Sequence, residues 1–199
     1  MGVCGLPRGT RKAIRGNRGF LGAVTMARYS IEGVARGIAI ERLWDWYTDF
    51  RSDDVEIIDQ EAPNVAGVFE NRQVRRDGDQ ISLDQVVSYG GRKFPVSVEI
   101  SLHPKEFRYA TVHRVRTAKG RPMMTERRQY TFARVAEATR VHAECVIEEV
   151  HGAAKLFNVS GLVTRMARKG SQEVMDAFMR GAEKELSNRK DNRTGERTD

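Results

Sequence analysis

The segment ATRVHAECVIEEV (residues 138–150), followed closely by AAKLFNVSGLVTRMARKGSQEVMDAFMRGA (residues 153–182), decides the fold, because the hydrophobic period changes between its two halves. In the first half Ala143, Cys145 and Ile147 alternate with residues such as Glu144 and Glu148, the two-residue period of a strand with one buried face. In the second, Leu156, Val159, Val163, Met166, Gly170, Val174, Phe178 and Ala182 recur at steps of three and four. That spacing is the stripe of one long amphipathic helix, with Gly170-Ser171 as a point where it can bend. A strand that runs into a long helix must belong to a sheet for the helix to cover.

Reading upstream supplies that sheet. In FPVSVEISL (residues 94–102), Val96, Val98, Ile100 and Leu102 alternate with Ser97, Glu99 and Ser101. FRYATVHRVRT and MMTERRQYTFARV follow, separated by Gly120, while VFENRQV and ISLDQVVSY precede, joined by the hairpin signal Asp77-Gly78 and closed by Gly90-Gly91. VEIIDQ (residues 55–60) reads as a further short strand, ended by the turn-forming PNVAG. At the front, ARYSIEGVAR reads as an opening strand and IAIERLWDWYTDF as a helix with Ile40, Leu43, Trp44, Tyr47 and Phe50 on one side. The order is strand, helix, antiparallel meander and long C-terminal helix, an α+β class. A straight helix laid across a strongly curved sheet leaves space beneath it, so an internal cavity is expected.

The 199 residues suit one domain. Their formal charge of +7 is unevenly placed: residues 1–25 carry five basic and no acidic groups, residues 188–199 carry a net +1, and the 162 residues between carry only +1. Residues 1–25 are expected to form a basic, disordered leader, with Met26 an alternative start and a nucleic-acid arm the functional alternative. Residues 26–187 form the domain and residues 188–199 a polar flexible tail. Cys4 and Cys145 make no disulfide framework and no metal spacing, and no cofactor motif is present. No stretch has the apolar length of a membrane span, so a cytoplasmic protein without stable membrane insertion is expected.

Within the meander, TERRQYTF (residues 125–132) places Glu126 and Arg128 on the same face as Met124, Tyr130 and Phe132. A one-residue slip would bury Thr125, Arg127, Gln129 and Thr131 and expose the aromatics, so the charged pair points inward. A buried guanidinium needs an anion, and Glu126 is the internal candidate, unless both side chains reach solvent at an open end. On the preceding strand Tyr109, Thr111 and His113 share the inward face, and His113 has the right intrinsic pKa for proton transfer near neutrality. Further wall candidates are Leu83, Gln85, Val87 and Tyr89, then Ala143, Cys145 and Ile147. On the long helix Gly161, Gly170 and the flexible Met166 leave room for a ligand. The candidate ligand-binding set is therefore Glu126, Arg128, Tyr130, His113, Thr111, Tyr109, Gln85, Tyr89, Cys145 and Met166. On the opposite faces Arg108, Arg114, Arg116, Arg127, Arg134 and Arg140 offer a surface for RNA phosphates, although Glu144 and Glu148 lie among them.

The opening strand with IERLWDWYTDF, the pair ISLDQVVSY and FPVSVEISLHPKEFRY, the aromatics of RRQYTF, and TRVHAECVIEEV running into the long helix resemble the START-like, helix-grip (SRPBCC) superfamily over residues 27 to 187. The pattern is most similar to the coenzyme-Q-binding branch, with RGIA where Ala-Pro is common and Tyr130 where tryptophan is common. The resemblance implies a curved antiparallel sheet around the C-terminal helix and an internal cavity. It implies binding or carriage of a lipid, quinone or polyketide-like molecule, and as alternatives a cyclase or dehydratase enzyme or a ribosome- or RNA-associated protein. No nucleophile with its base and no phosphate loop supports the enzyme alternative. The ligand and the oligomeric state are not encoded in any motif.

Overall fold

A computed structural model describes residues 27–50, 68–89, 92–152 and 161–194 of the chain. Strand β1 (Ala27–Arg36) leads into helix α1 (Ile40–Tyr47). Strands β2 (Val68–Asp77), β3 (Gln80–Tyr89), β4 (Arg92–His103), β5 (Arg108–Arg116), β6 (Pro122–Val135) and β7 (Ala138–Val150) follow, then helix α2 (Leu162–Thr194). The expected strand at residues 55–60, its turn, the leader, Gly90-Gly91 and the first residues of the helical stripe, Leu156 and Val159, lie outside the described residues.

The strands form one antiparallel sheet in the order β1-β7-β6-β5-β4-β3-β2. Alternation sets which face is buried. In β1, Tyr29, Ile31, Gly33 and Ala35 are buried while Ser30, Glu32, Val34 and Arg36 are exposed. The β2–β3 hairpin turns through Gly78-Asp79, with Gly78 in the left-handed region that a tight two-residue turn requires. Between β4 and β5 a short 3-10 turn over Pro104–Glu106 ends at Phe107, which also has positive φ.

Helix α1 has eight residues and no side-chain cap at Ala39, so little in its own sequence stabilises it. Packing and tertiary hydrogen bonds hold it instead. Trp44 meets Phe132 and Phe107 edge-on, with ring centroids 5.2 and 5.9 Å away. Trp46, absent from the expected apolar stripe, is buried and donates its indole N–H to Glu185 of α2 at 2.7 Å. Phe50 lies beyond the end of the helix, which stops at Tyr47.

Helix α2 is continuous through Gly170-Ser171 and extends as far as Thr194, past the boundary expected at residue 187. Gly161 stands before the helix rather than in it, at a φ of 70° that glycine tolerates without strain. The helix has two inward stripes. Met175, Met179, Ala182 and Leu186 are buried in the core, whereas Val163, Ala167, Gly170, Val174 and Phe178 face a cavity. It also covers the open edge of β1: Gln172 Nε2 donates to the Glu32 carbonyl at 2.6 Å, and the Glu32 and Arg36 N–H groups donate to Gln172 and Glu183. Side chains thus occupy backbone groups that another strand could pair with.

Contact between α2 and β1 is close because Gly33 has no side chain. A Cβ there would stand 2.7 Å from Met179 Cγ and 2.8 Å from Met175 Cγ. Gly33→Val is expected to lower stability by about 1–3 kcal/mol through overpacking. Urea denaturation checks this, and an unchanged midpoint would mean that α2 can shift over β1 at no cost.

Candidate functional site

Between α2 and the curve of the sheet, chiefly β3 to β6, lies a cavity of about 470 Å³. Most of its wall is apolar, from Leu83 and Val87 on β3, Val96, Val98 and Ile100 on β4, and Val163, Val174 and Phe178 on α2. Polar groups gather on the β5–β6 side. Antiparallel register places His113 opposite Glu126, Thr111 opposite Arg128 and Tyr109 opposite Tyr130.

Glu126 is the centre of this cluster and is 1% exposed. One carboxylate oxygen accepts the Tyr29 hydroxyl proton, and the other accepts from Arg128 Nε at 3.0 Å and Arg128 Nη2 at 2.7 Å. Arg128 Nη1 also donates to the Tyr130 hydroxyl at 3.4 Å. Tyr29 stands 3.3 Å from the Ser171 hydroxyl, which links the buried charge to α2. Tyr130 and Tyr109 stack with centroids 4.3 Å apart and planes 10° from parallel. His113 Nε2 and the Thr111 hydroxyl are 2.9 Å apart.

Burial dominates the proton affinities here. Desolvation alone would pull the Arg128 pKa down, but Glu126, with the neighbouring tyrosines, reverses this and holds it well above the ordinary guanidinium value. Desolvation raises Tyr29, Tyr109 and Tyr130, and pushes the Cys145 thiol up to about 11. It lowers His113 well below 6.5, with the positive charge of Arg128 adding to the effect. The geometry of the cluster is thus one ion pair, Arg128 with Glu126, beside tyrosine, cysteine and histidine groups whose shifts favour their neutral forms.

No protein-family model and no curated protein matches the chain in sequence. Solved structures do match it in three dimensions. The protein TTHA0849 from Thermus thermophilus superposes with a TM-score of 0.61 at 14% identity, covering 78% of this chain and 97% of that one. The ZhuI aromatase/cyclase from Streptomyces sp. R1128 gives 0.60 at 12% identity, covering 81% of this chain and 96% of that one. Ara h 8.0201 gives 0.56 at 11% identity, with 79% of this chain and 97% of that one covered. The chain has the helix-grip fold.

In this helix-grip domain, Tyr109, Thr111, His113, Glu126, Arg128, Tyr130 and Gln85 all line the cavity, as the strand alternation predicts. Met166 lines it from the rim and is 42% exposed. Cys145 does not line it, nor do Ala143 and Ile147, contrary to the sequence reading. These three are in the core, because they pair with β1, where α2 packs directly on the sheet, whereas Val150 at the end of β7 lines the cavity. The backbone of Tyr89 ends β3, and its side chain lies outside the described residues. Tyr29 and Ser171 were missed. A signal for Tyr29 existed, since the alternation of ARYSIEGVAR turns it inward and a buried tyrosine hydroxyl needs a partner. Ser171 carried no such signal.

Among the described residues no three His, Cys, Asp or Glu side chains gather as a metal site, and no helix is long and apolar enough to cross a membrane.

His113 gives the site a pH signature. Its folded pKa lies below 6.5, so under acid conditions the unfolded chain binds a proton that the folded chain refuses. Stability is expected to fall as pH drops through about 6.5, until the folded imidazole itself protonates. Stability measured from about pH 7.5 down to pH 5 should decline less steeply in His113→Phe than in the native protein. Equal slopes would assign the acid sensitivity to other groups.

Proposed function

We propose that the protein binds a hydrophobic small molecule, a lipid, quinone or polyketide-like ring system, in the cavity between the sheet and α2. The observation that carries this reading is an apolar cavity of about 470 Å³ with one polar cluster, Glu126, Arg128, Tyr130, His113 and Thr111, at one side of its wall. Apolar burial at about 25 cal/mol per Å² supplies the affinity, and the cluster fixes which end of the ligand lies beside β6. The coenzyme-Q-like branch suggested by the sequence is one form of this carrier. The protein would act in the cytoplasm, with the ligand as its partner.

A cyclase or dehydratase is the second reading, supported by a neutral His113 on the same wall as Arg128 and by the helix-grip aromatase/cyclase among the structural neighbours. In that chemistry Arg128 would polarise a carbonyl and His113 would move a proton. An RNA-facing role has less support. Arg108, Arg114, Arg127, Arg134 and Arg140 each form an ion pair with a glutamate, which reduces the charge available to phosphate.

Gly170 offers a direct test. It lines the cavity, and a Cβ built on it would meet nothing within 4 Å. Gly170→Phe can therefore place a ring in the cavity, and replacing a helical glycine is expected to leave stability unchanged or raise it by up to about 1 kcal/mol. The uncharged apolar fluorophore N-phenyl-1-naphthylamine should bind the native protein at one site and Gly170→Phe at least about tenfold more weakly. Equal binding to both proteins would place the fluorophore outside the cavity and remove the support for this function.

A further inference from the structure

We infer that the cavity selects ligands whose polar end is an uncharged hydrogen-bond acceptor, a ketone, quinone or ester carbonyl, and discriminates against carboxylates. This rests on the ligand-binding reading above and specifies its chemistry.

The argument is a count of charge and of donors. Arg128 and Glu126 cancel each other at 2.7 Å, so the cluster has no net positive charge to offer an acid. Both Glu126 oxygens already accept protons from the protein, one from Tyr29 and the other from two Arg128 nitrogens. The carboxylate is thus spent on holding the arginine. A guanidinium carries five N–H bonds, of which two go to Glu126 and one to the Tyr130 oxygen, so that among the described residues two are left on a side chain that lines the cavity. The Tyr130 hydroxyl accepts from Arg128, so its own proton remains to be donated. The unspent groups of Arg128 and Tyr130, both on the cavity wall, are therefore donors. His113 stays neutral under these conditions and adds no charge. Arg72, the other arginine on the wall, is on β2, separated from β5 by β3 and β4, and is engaged in an interaction of its own.

A ligand carbonyl would receive these N–H and O–H groups without bringing charge into an apolar space. A carboxylate would take the same donors but would add a second anion beside Glu126, leaving one negative charge without compensation. A ligand with only hydrocarbon at this end would leave the donors buried without an acceptor, which also costs affinity.

Three probes of matched size separate these cases: 2-acetylnaphthalene, 2-isopropylnaphthalene and 2-naphthoate, titrated calorimetrically into the full chain near pH 7.5. The ketone is expected to bind about tenfold more tightly than either of the others. Equal or tighter binding of the hydrocarbon or the acid would overturn the selectivity while leaving the cavity as a binding site. Failure of all three to bind would overturn the ligand-binding reading itself. Glu126→Gln makes the cluster cationic, and the ratio of ketone to naphthoate affinity should fall by about tenfold or more. Tyr130→Phe, which removes no charge, provides the same test should Glu126→Gln not fold. It should weaken the ketone several-fold and leave 2-isopropylnaphthalene unchanged or more tightly bound, and equal losses for the two probes would count against a directed hydrogen bond.

Discussion

Glu126→Ala is expected to lower the stability of the folded protein by about 3–5 kcal/mol, because it leaves a buried guanidinium without its counter-ion. The Arg128 side chain is 17% exposed, too little for water to replace the carboxylate, and Tyr29 loses its acceptor in the same substitution. The loss should be carried by Arg128, so the double variant Glu126→Leu, Arg128→Met should recover most of the stability. Replacing a whole buried ion pair by apolar side chains of similar size is often neutral or favourable. Equilibrium denaturation of Glu126→Leu, Arg128→Met and their double variant measures the coupling. Additive losses in the two substitutions would show that the pair is not an energetic unit. Recovery of stability with loss of ketone binding would show that the pair is kept for recognition.

Trp44→Ala is expected to cost about 3–5 kcal/mol as well, for a different reason. Trp44 is 6% exposed and its ring touches Phe107, Tyr109 and Phe132, so truncation opens a void between α1 and the sheet. Helix α1 is too short to persist alone, and it positions Tyr47, which lines the cavity 5.5 Å from Phe178 of α2. Loss of stability should therefore be accompanied by weaker binding of 2-acetylnaphthalene, with Trp44→Phe intermediate in both. Full retention of probe affinity in Trp44→Ala would separate α1 from the site.

Both expectations follow from features with different visibility in the sequence. The inward direction of Glu126 and Arg128 is legible in TERRQYTF alone, because a strand has a period of two and the opposite register would expose Tyr130 and Phe132. The same rule gives the shared inward face of Tyr109, Thr111 and His113. It fails for Cys145, which alternation correctly turns inward but cannot locate within the interior. Facing inward and facing a cavity differ only by where the covering helix makes contact, and that contact depends on Gly33, more than a hundred residues before α2 in the chain.

Local pattern therefore accounts for the strands of the meander and their inner faces, a short aromatic helix, a long amphipathic helix and an ion pair turned to the inside. These follow from periods of two and three to four, which neighbouring residues carry between them. Long-range packing accounts for the rest: Tyr29 and Ser171 complete the Glu126 cluster, α2 has a core stripe beside its cavity stripe, and space remains over β3 to β6 but not over the part of β7 that pairs with β1. Each of these depends on the distance between segments far apart in the chain, and that distance is set by the volumes of the side chains between them rather than by any local preference.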